Sequence, residues 1–192
     1  AALRGALQAA LGKGTPLTKA NVATITQLNL TYDGITDLTG LEFATNLQAL
    51  DLTGNAITDI TPLQNLHNLT NLSLRMNKAT VMPDLSLLAG TPVKSLNLVA
   101  DDYGTQPDKM AGLAQLTSLE ELEMQNNDLT TVPPVTGLPK LRYLGLAGNK
   151  LTSVQALAGM RQLTELKVGS NQLTDYTPIA SLTNLTTLSI GN

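Results

Sequence analysis

The chain of 192 residues contains no cysteine and no tryptophan, a single histidine and a single phenylalanine. Absence of cysteine rules out disulfides and thiolate metal sites, and it fits a bacterial surface protein and a cytosolic one equally well. Aromatic residues amount to 3% while hydrophobic residues reach 42%, so any core has to be filled by short aliphatic side chains. Such a core suits narrow, regularly stacked units better than an irregular globule. Charge is sparse as well: charged residues make up 14%, and the net charge is −3. This excludes the basic footprint needed to neutralise nucleic-acid phosphates, and with it a polybasic membrane patch. No stretch is long enough to cross a membrane. Ala1–Leu11 is apolar but short, carries Arg4 and has no charged region ahead of it, so it does not read as a signal peptide. Catalysis also lacks its inventory, because the lone His67 stands in a turn and no G-x-S-x-G occurs. The expectation is a protein that is not an enzyme and needs no cofactor.

What the chain has is self-similarity. The pattern L-x-x-L-x-L-x-x-N-x-[LI] is clean in Leu47-x-x-Leu50-x-Leu52-x-x-Asn55-x-Ile57, and again from Leu141 through Leu144, Leu146 and Asn149 to Leu151. Successive coils begin at Ile25, Leu47, Leu69, Val93, Leu119, Leu141, Leu163 and Leu185, in steps of 22, 22, 24, 26, 22, 22 and 22 residues. A repeat of this period marks a leucine-rich-repeat solenoid, in which each coil buries its apolar edge against the next. The x-L-x-L-x portion alternates apolar and polar, as a short strand does. Stacked, these strands predict a parallel sheet with Leu50 and Leu52 inward and Ala49, Asp51 and Thr53 outward.

The ninth position is asparagine in Asn55, Asn77, Asn127, Asn149, Asn171 and Asn192. An amide can donate and accept at once, which predicts a buried ladder satisfying backbone groups where the chain leaves the strand. Asp33 and Asp101 replace it in the first and fourth coils, keeping the acceptor and losing the donors, so local strain is expected there. The return half repeats as Asp37-Leu38-Thr39-Gly40-Leu41, Asp59-Ile60-Thr61-Pro62-Leu63 and Asp175-Tyr176-Thr177-Pro178-Ile179. Its Pro and Gly predict short 3₁₀ turns or extended backbone on the convex side. Ahead of the repeats Leu3, Leu7, Ala10 and Leu11 fall at helical spacing, Gly12 and Gly14 end that run, and Thr18 opens a second short helix. The predicted fold is therefore an α/β horseshoe: a helical cap over residues 1–24, then an array over 25–192 of seven full coils and a partial one, irregular at 69–118. Because the chain stops at Ile190-Gly191-Asn192 within a coil, and solenoids need polar end caps, a longer parent protein is expected.

With this period, the D-[LI]-T-[PG]-[LI] convex motif and the helical cap, the whole chain resembles the bacterial internalin-type leucine-rich-repeat proteins. That resemblance implies a secreted or cell-wall-attached protein of a Gram-positive bacterium, often an adhesin or invasin, whose concave face recognises a host macromolecule. It transfers no ligand, because those faces differ from member to member. The chain departs from the pattern at Val81-Met82-Pro83 and across Asp101–Met110. Two other readings stay open: an intracellular scaffold similar to the leucine-rich-repeat regulatory subunit of protein phosphatase 1, and the recognition arm of an enzyme. The four Asn-x-Ser/Thr sequons, at Asn29, Asn68, Asn71 and Asn184, read as by-products of the repeat consensus.

Two groups of outward residues stand apart from a floor that is otherwise small and polar. Arg75 and Met76 approach Val99 and Tyr103, and Glu121, Glu123, Tyr143 and Lys167 adjoin one another farther on. Exposed Tyr and Arg are favoured anchors of binding faces. The extra residues after Val99 are expected to leave the solenoid as a loop over Asp101–Met110, carrying Asp102 and Tyr103 beside the concave face. Asp101, Asp102 and Asp108 supply oxygen ligands of the kind calcium prefers, but without the D-x-[DN]-x-[DN]-G pattern, so a solvated loop and no metal is the reading. The expected partner is a protein or a glycan, with no nucleic acid, no direct membrane insertion, and the chain itself a monomer.

Overall fold

The computed structural model of the chain describes residues 2–77 and 79–191; Ala1, Lys78 and Asn192, the last of the turn asparagines, lie outside them. Eight three-residue strands form one parallel sheet in chain order among the described residues. They are β1 (Gln27–Asn29), β2 (Ala49–Asp51), β3 (Asn71–Ser73), β4 (Ser95–Asn97), β5 (Glu121–Glu123), β6 (Tyr143–Gly145), β7 (Glu165–Lys167) and β8 (Thr187–Ser189). Register is constant along the array, so Leu28, Leu50, Leu72, Leu96, Leu122, Leu144, Leu166 and Leu188 pair in one row. All but Leu188 on the outer strand are buried, and a second row two residues on, from Leu30 to Val168, is buried beside them. These rows are the alternation of the sequence made into a core: leucine turns in, its neighbours turn out. The architecture is a leucine-rich-repeat solenoid.

The chain leaves each of the first seven strands through a residue in the left-handed region. Tyr32, Gly54, Met76, Ala100, Asn126, Gly148 and Ser170 all have positive φ and all occupy the place just before the ninth position. There the asparagines form the predicted ladder. Asn149 is typical: its amide nitrogen donates to Met124 O (3.0 Å) and Leu146 O (2.8 Å), and its oxygen accepts from the N–H groups of Asn127 (2.9 Å) and Leu129 (3.0 Å). One side chain thus satisfies four backbone groups on adjacent coils, which no water could reach.

On the convex side the aspartates of the D-x-T motif explain themselves. Asp37, Asp59 and Asp175 accept from the N–H groups of Thr39, Thr61 and Thr177 at 2.7–2.8 Å, starting the 3₁₀ turns Leu41–Phe43, Thr61–Leu63 and Thr177–Ser181. Where the motif is lost at Val81-Met82-Pro83, Asp84 takes over the role and accepts from Ser86 N at 2.9 Å. At the amino end α1 (Ala2–Leu11) buries Leu3 and Leu7, and α2 (Lys19–Val22) is capped by the Thr18 hydroxyl. The two helices contact each other, and α2 also packs on the Leu41–Phe43 turn, where Lys19 Nζ stands 4.1 Å from the Phe43 ring centre.

The expected loop over Asp101–Met110 does not exist. Tyr103–Thr105 and Pro107–Gln115 are 3₁₀ helices, and Tyr103, Met110 and Leu113 are buried. The insertion carries its own apolar anchors, so folding it back onto the convex wall stabilises it more than projecting it into water. It packs against the turn Leu85–Leu88, so closely that a Cβ on Gly112 would collide with the Ser86 backbone. Tyr103 is a core residue, not a concave-face one: Asp101-x-Tyr103 is in register with Asn55-x-Ile57. Its ring is 0% exposed and its hydroxyl donates to Pro83 O at 3.3 Å.

Candidate functional site

The concave face of the sheet is built from the outward strand positions, so its chemistry changes coil by coil along a rigid frame. Over β1–β4 it is nearly uncharged. A shallow hollow of about 530 Å³ lies there, lined by Gln27, Asn29, Asp51, Asn71, Ser73 and Asn97 among others. Asn29, Asp51 and Asn97 each turn one oxygen back to a backbone N–H two residues on, at 2.9–3.1 Å. All three side chains line the hollow.

At the carboxyl ends of the same strands the structure brings together three of the expected residues. Arg75 is exposed, Met76 and Val99 are half-buried, and Met76 N donates to Val99 O at 2.8 Å. Asp102 is exposed in a left-handed conformation, at the head of the Tyr103–Thr105 turn. Tyr103 is withdrawn from this group into the core. A different tyrosine takes its place, one that sequence reasoning passed over. Tyr32 is 64% exposed with φ of 57°. Its hydroxyl donates to the sulfur of Met76 across 3.3 Å, and its ring lies over Gly54, where any Cβ would strike it. The missed signal was positional: Tyr32, Gly54 and Met76 all occupy the eighth place of their coils, so a large side chain in one coil and glycine in the next leaves a seat for the ring.

The second group is assembled as expected and is tightly cross-linked. Glu121 pairs with Tyr143 across β5–β6 and Tyr143 with Glu165 across β6–β7. Lys167 Nζ stands 4.9 Å from the Tyr143 ring centre and 3.3 Å from Glu165 Oε1. Gln125, another residue the sequence left unremarked, bonds both Glu123 and the Tyr143 hydroxyl and lies over Gly145. Burial pushes the Tyr143 phenol up, and the Tyr143 hydroxyl followed by Glu165 holds the Lys167 ammonium above its ordinary value. Both therefore stay in their neutral-pH forms: a protonated phenol and a cation held over its ring. Beside them Arg142 bridges to Glu120 at 2.9 Å and approaches Glu121 at 3.9 Å.

Nothing in this arrangement resembles a nucleophile with its base. His67 is exposed in a convex turn, its Nδ1 3.3 Å from Gly90 O. Among the described residues no three acidic or histidine side chains gather as a metal cluster. Asp101, one of the three candidate oxygen donors, turns inward and is 1% exposed, whereas Asp108 is exposed beside Lys109. No described helix is long and apolar enough to cross a membrane.

Two sequence profiles match the chain: one described as leucine rich repeat, over residues 117–173, and one described as leucine rich repeats (2 copies), over residues 45–97. No curated protein matches. Among solved structures, internalin C2 of Listeria monocytogenes is similar over 100% of this chain and 85% of its own, with 31% identity and a TM-score of 0.80. An internalin F of the same organism shares 27% identity over 100% of this chain and 75% of its own, with a TM-score of 0.44. A leucine-rich-repeat protein of Leptospira interrogans shares 26% identity with a TM-score of 0.57, over 90% of this chain and 56% of that one.

Proposed function

The chain belongs to the internalin-type leucine-rich-repeat family, and from that premise we propose that it is the recognition part of a secreted or wall-attached bacterial surface protein, binding a protein of a host cell through its concave face. Leucine-rich-repeat domains are in general protein-binding modules without catalytic activity, and the concave face here offers contact chemistry rather than reaction chemistry. The observation that carries the reading is the pre-ordered Tyr143 cluster. An aromatic ring held under Lys167 and beside Glu121 and Glu165 has surrendered much of its side-chain freedom before any partner arrives, which lowers the entropic cost of binding. Arg75, Met76 and Tyr32 form a second contact point on the same concavity, and Val99 and Asp102 flank it.

Binding of the fluorescently labelled chain to intact host cells tests this. Binding should disappear when the cells are treated with protease and survive removal of their glycans. Tyr143→Ala and Arg75→Ala should each weaken it about 10-fold or more, as anchor residues do, with unchanged melting. Loss on glycan removal alone would transfer the assignment to a glycan ligand. Undiminished binding by both variants would remove these two groups from the site.

A further inference from the structure

At the fourth coil the ladder loses its amide, and two buried acceptors are left without a donor there among the described residues. At Asn55, Asn127, Asn149 and Asn171 the side-chain nitrogen donates to the carbonyl at the sixth place of the preceding coil: Leu30, Leu98, Met124 and Leu146, at 2.6–3.0 Å. The fourth coil has Asp101 instead. Its Oδ1 accepts from Asn77 N at 2.6 Å, as a rung should. Its Oδ2, buried, meets no donor. The carbonyl that an amide here would serve is that of Leu74, a residue 0% exposed, and no donor reaches it among the described residues. Asn77 does not serve it, since its side-chain nitrogen donates to Ile57 O at 2.8 Å and not to Leu74 O. Two unsatisfied acceptors in one register, each cut off from water, are what a missing proton looks like.

We propose that Asp101 is held as the neutral acid, its Oδ2–H donating to the Leu74 carbonyl in place of the absent amide, and that its ionisation loosens the stack between the third and fourth coils. Burial pushes this carboxyl up to about 8, against the pull of the Asn77 N–H, with Asp102 adding to the rise. The groups that face it are few. Asp102 and Tyr103 flank it in its own coil; the Tyr103 phenol is itself pushed well up by burial, with Asp101 and Asp84 contributing. On the following coil Asp128 is 3.0 Å from Lys150. Lys78, which follows Asn77 in the sequence, lies outside the described residues.

The sign follows from the direction of the shift. In the unfolded chain an aspartate ionises near pH 3.9, so between about 4 and about 8 the folded state binds the extra proton. This contribution to stability is full below about pH 4, declines as pH rises and is gone above about pH 8. The consequence lies next to the proposed contact point: the same junction carries the Met76 N to Val99 O bond, so alkalinisation softens the concave face beside Arg75.

Melting midpoints of the wild type, Asp101→Asn and Lys78→Met between about pH 5 and 8 test the proposal. The wild-type midpoint should fall by several degrees over this range relative to Asp101→Asn, whose neutral amide completes the ladder and which should melt higher at pH 7.5. Differencing the two cancels every titration that they share. Lys78→Met should keep the wild-type slope. Parallel curves for wild type and Asp101→Asn would overturn the proposal, and so would a slope that vanishes in Lys78→Met, which would mark an ion pair. A carbon-13 carboxyl shift for Asp101 typical of an ionised group at pH 5.5 would overturn it directly. Binding to host cells plays no part in these readouts, so they stand apart from the proposed function.

Discussion

A single amide decides how firmly two coils adhere. Asn149 satisfies Met124 O, Leu146 O, Asn127 N and Leu129 N, all in a region closed to water. Asn149→Ala should therefore destabilise the chain by about 1–3 kcal/mol, the cost of stranding buried backbone groups. Lys150→Ala, one residue on, removes a bridge to Asp128 between side chains that are each about half exposed, and exposed pairs contribute less than about 1 kcal/mol. Denaturant unfolding of both variants checks the contrast, and equal effects would contradict the ladder. The ladder itself was readable from the ninth-position asparagines, because the donor-and-acceptor requirement of a turn is a property of residue type. The fate of Asp101 was readable only as a lost donor. That its second oxygen would be sealed from water depends on the coils either side, which a single repeat does not display. The convex aspartates behave in the opposite sense. Bonds from the Thr39 hydroxyl and N–H lower the Asp37 carboxyl, those from Thr61 lower Asp59 likewise, and the Thr177 N–H and hydroxyl lower Asp175. What they contribute is present above the unfolded carboxylate range and lost as pH falls through their folded values.

Among elements, the Tyr103–Thr105 and Pro107–Gln115 turns show how a repeat absorbs extra length. Leaving as a loop is the cheap solution for polar residues. This insertion has Tyr103, Met110 and Leu113 on one side, and the wall against Leu85–Leu88 offers them a dry surface. Tyr103→Ala should cost about 3–5 kcal/mol, the range for emptying an aromatic site in a packed core. Tyr103→Phe keeps the ring, loses the bond to Pro83 O and should cost about 1 kcal/mol. Urea denaturation of the two variants distinguishes a core tyrosine from an exposed one, for which both substitutions would be near neutral. The register that places Tyr103 inside was present in the sequence, since Asp101-x-Tyr103 occupies the places of Asn55-x-Ile57. It was obscured by the surrounding Asp, Gly, Gln and Pro, which read as loop by composition. Composition describes an average environment; periodicity assigns a side to each residue. Tyr32 was obscured in a related way, because its seat is made by Gly54 of the next coil rather than by its own neighbours.

At the scale of the molecule, the array is one-dimensional: each coil touches only the coils on either side, so stability is a sum of coil and interface contributions that can fail locally. Leu144 lies in the inward row between Leu122 and Leu166 and is 0% exposed. Leu144→Asp places a carboxylate where neither water nor a partner can reach it, which no side-chain rearrangement can repair. The sixth coil should then detach from both neighbours. On its amino-terminal side remain α1, α2 and five coils, more than the three repeats that a stack needs. On the other side remain the coils of β7 and β8, too few to stand alone. Amide hydrogen exchange of Leu144→Asp should therefore show protection kept from β1 to β4 and lost from β6 to β8, with a first melting step at lower temperature. Protection lost uniformly would mean that the whole array is one cooperative unit. An unchanged midpoint would place Leu144 outside the core and shift the register of every strand. The division also matters for the proposed recognition, because it falls between the two proposed contact points: Arg75, Met76 and Tyr32 would survive on the folded part while Tyr143 and Lys167 would not. Residual binding by Leu144→Asp would then report how much affinity the amino-terminal contact point supplies by itself.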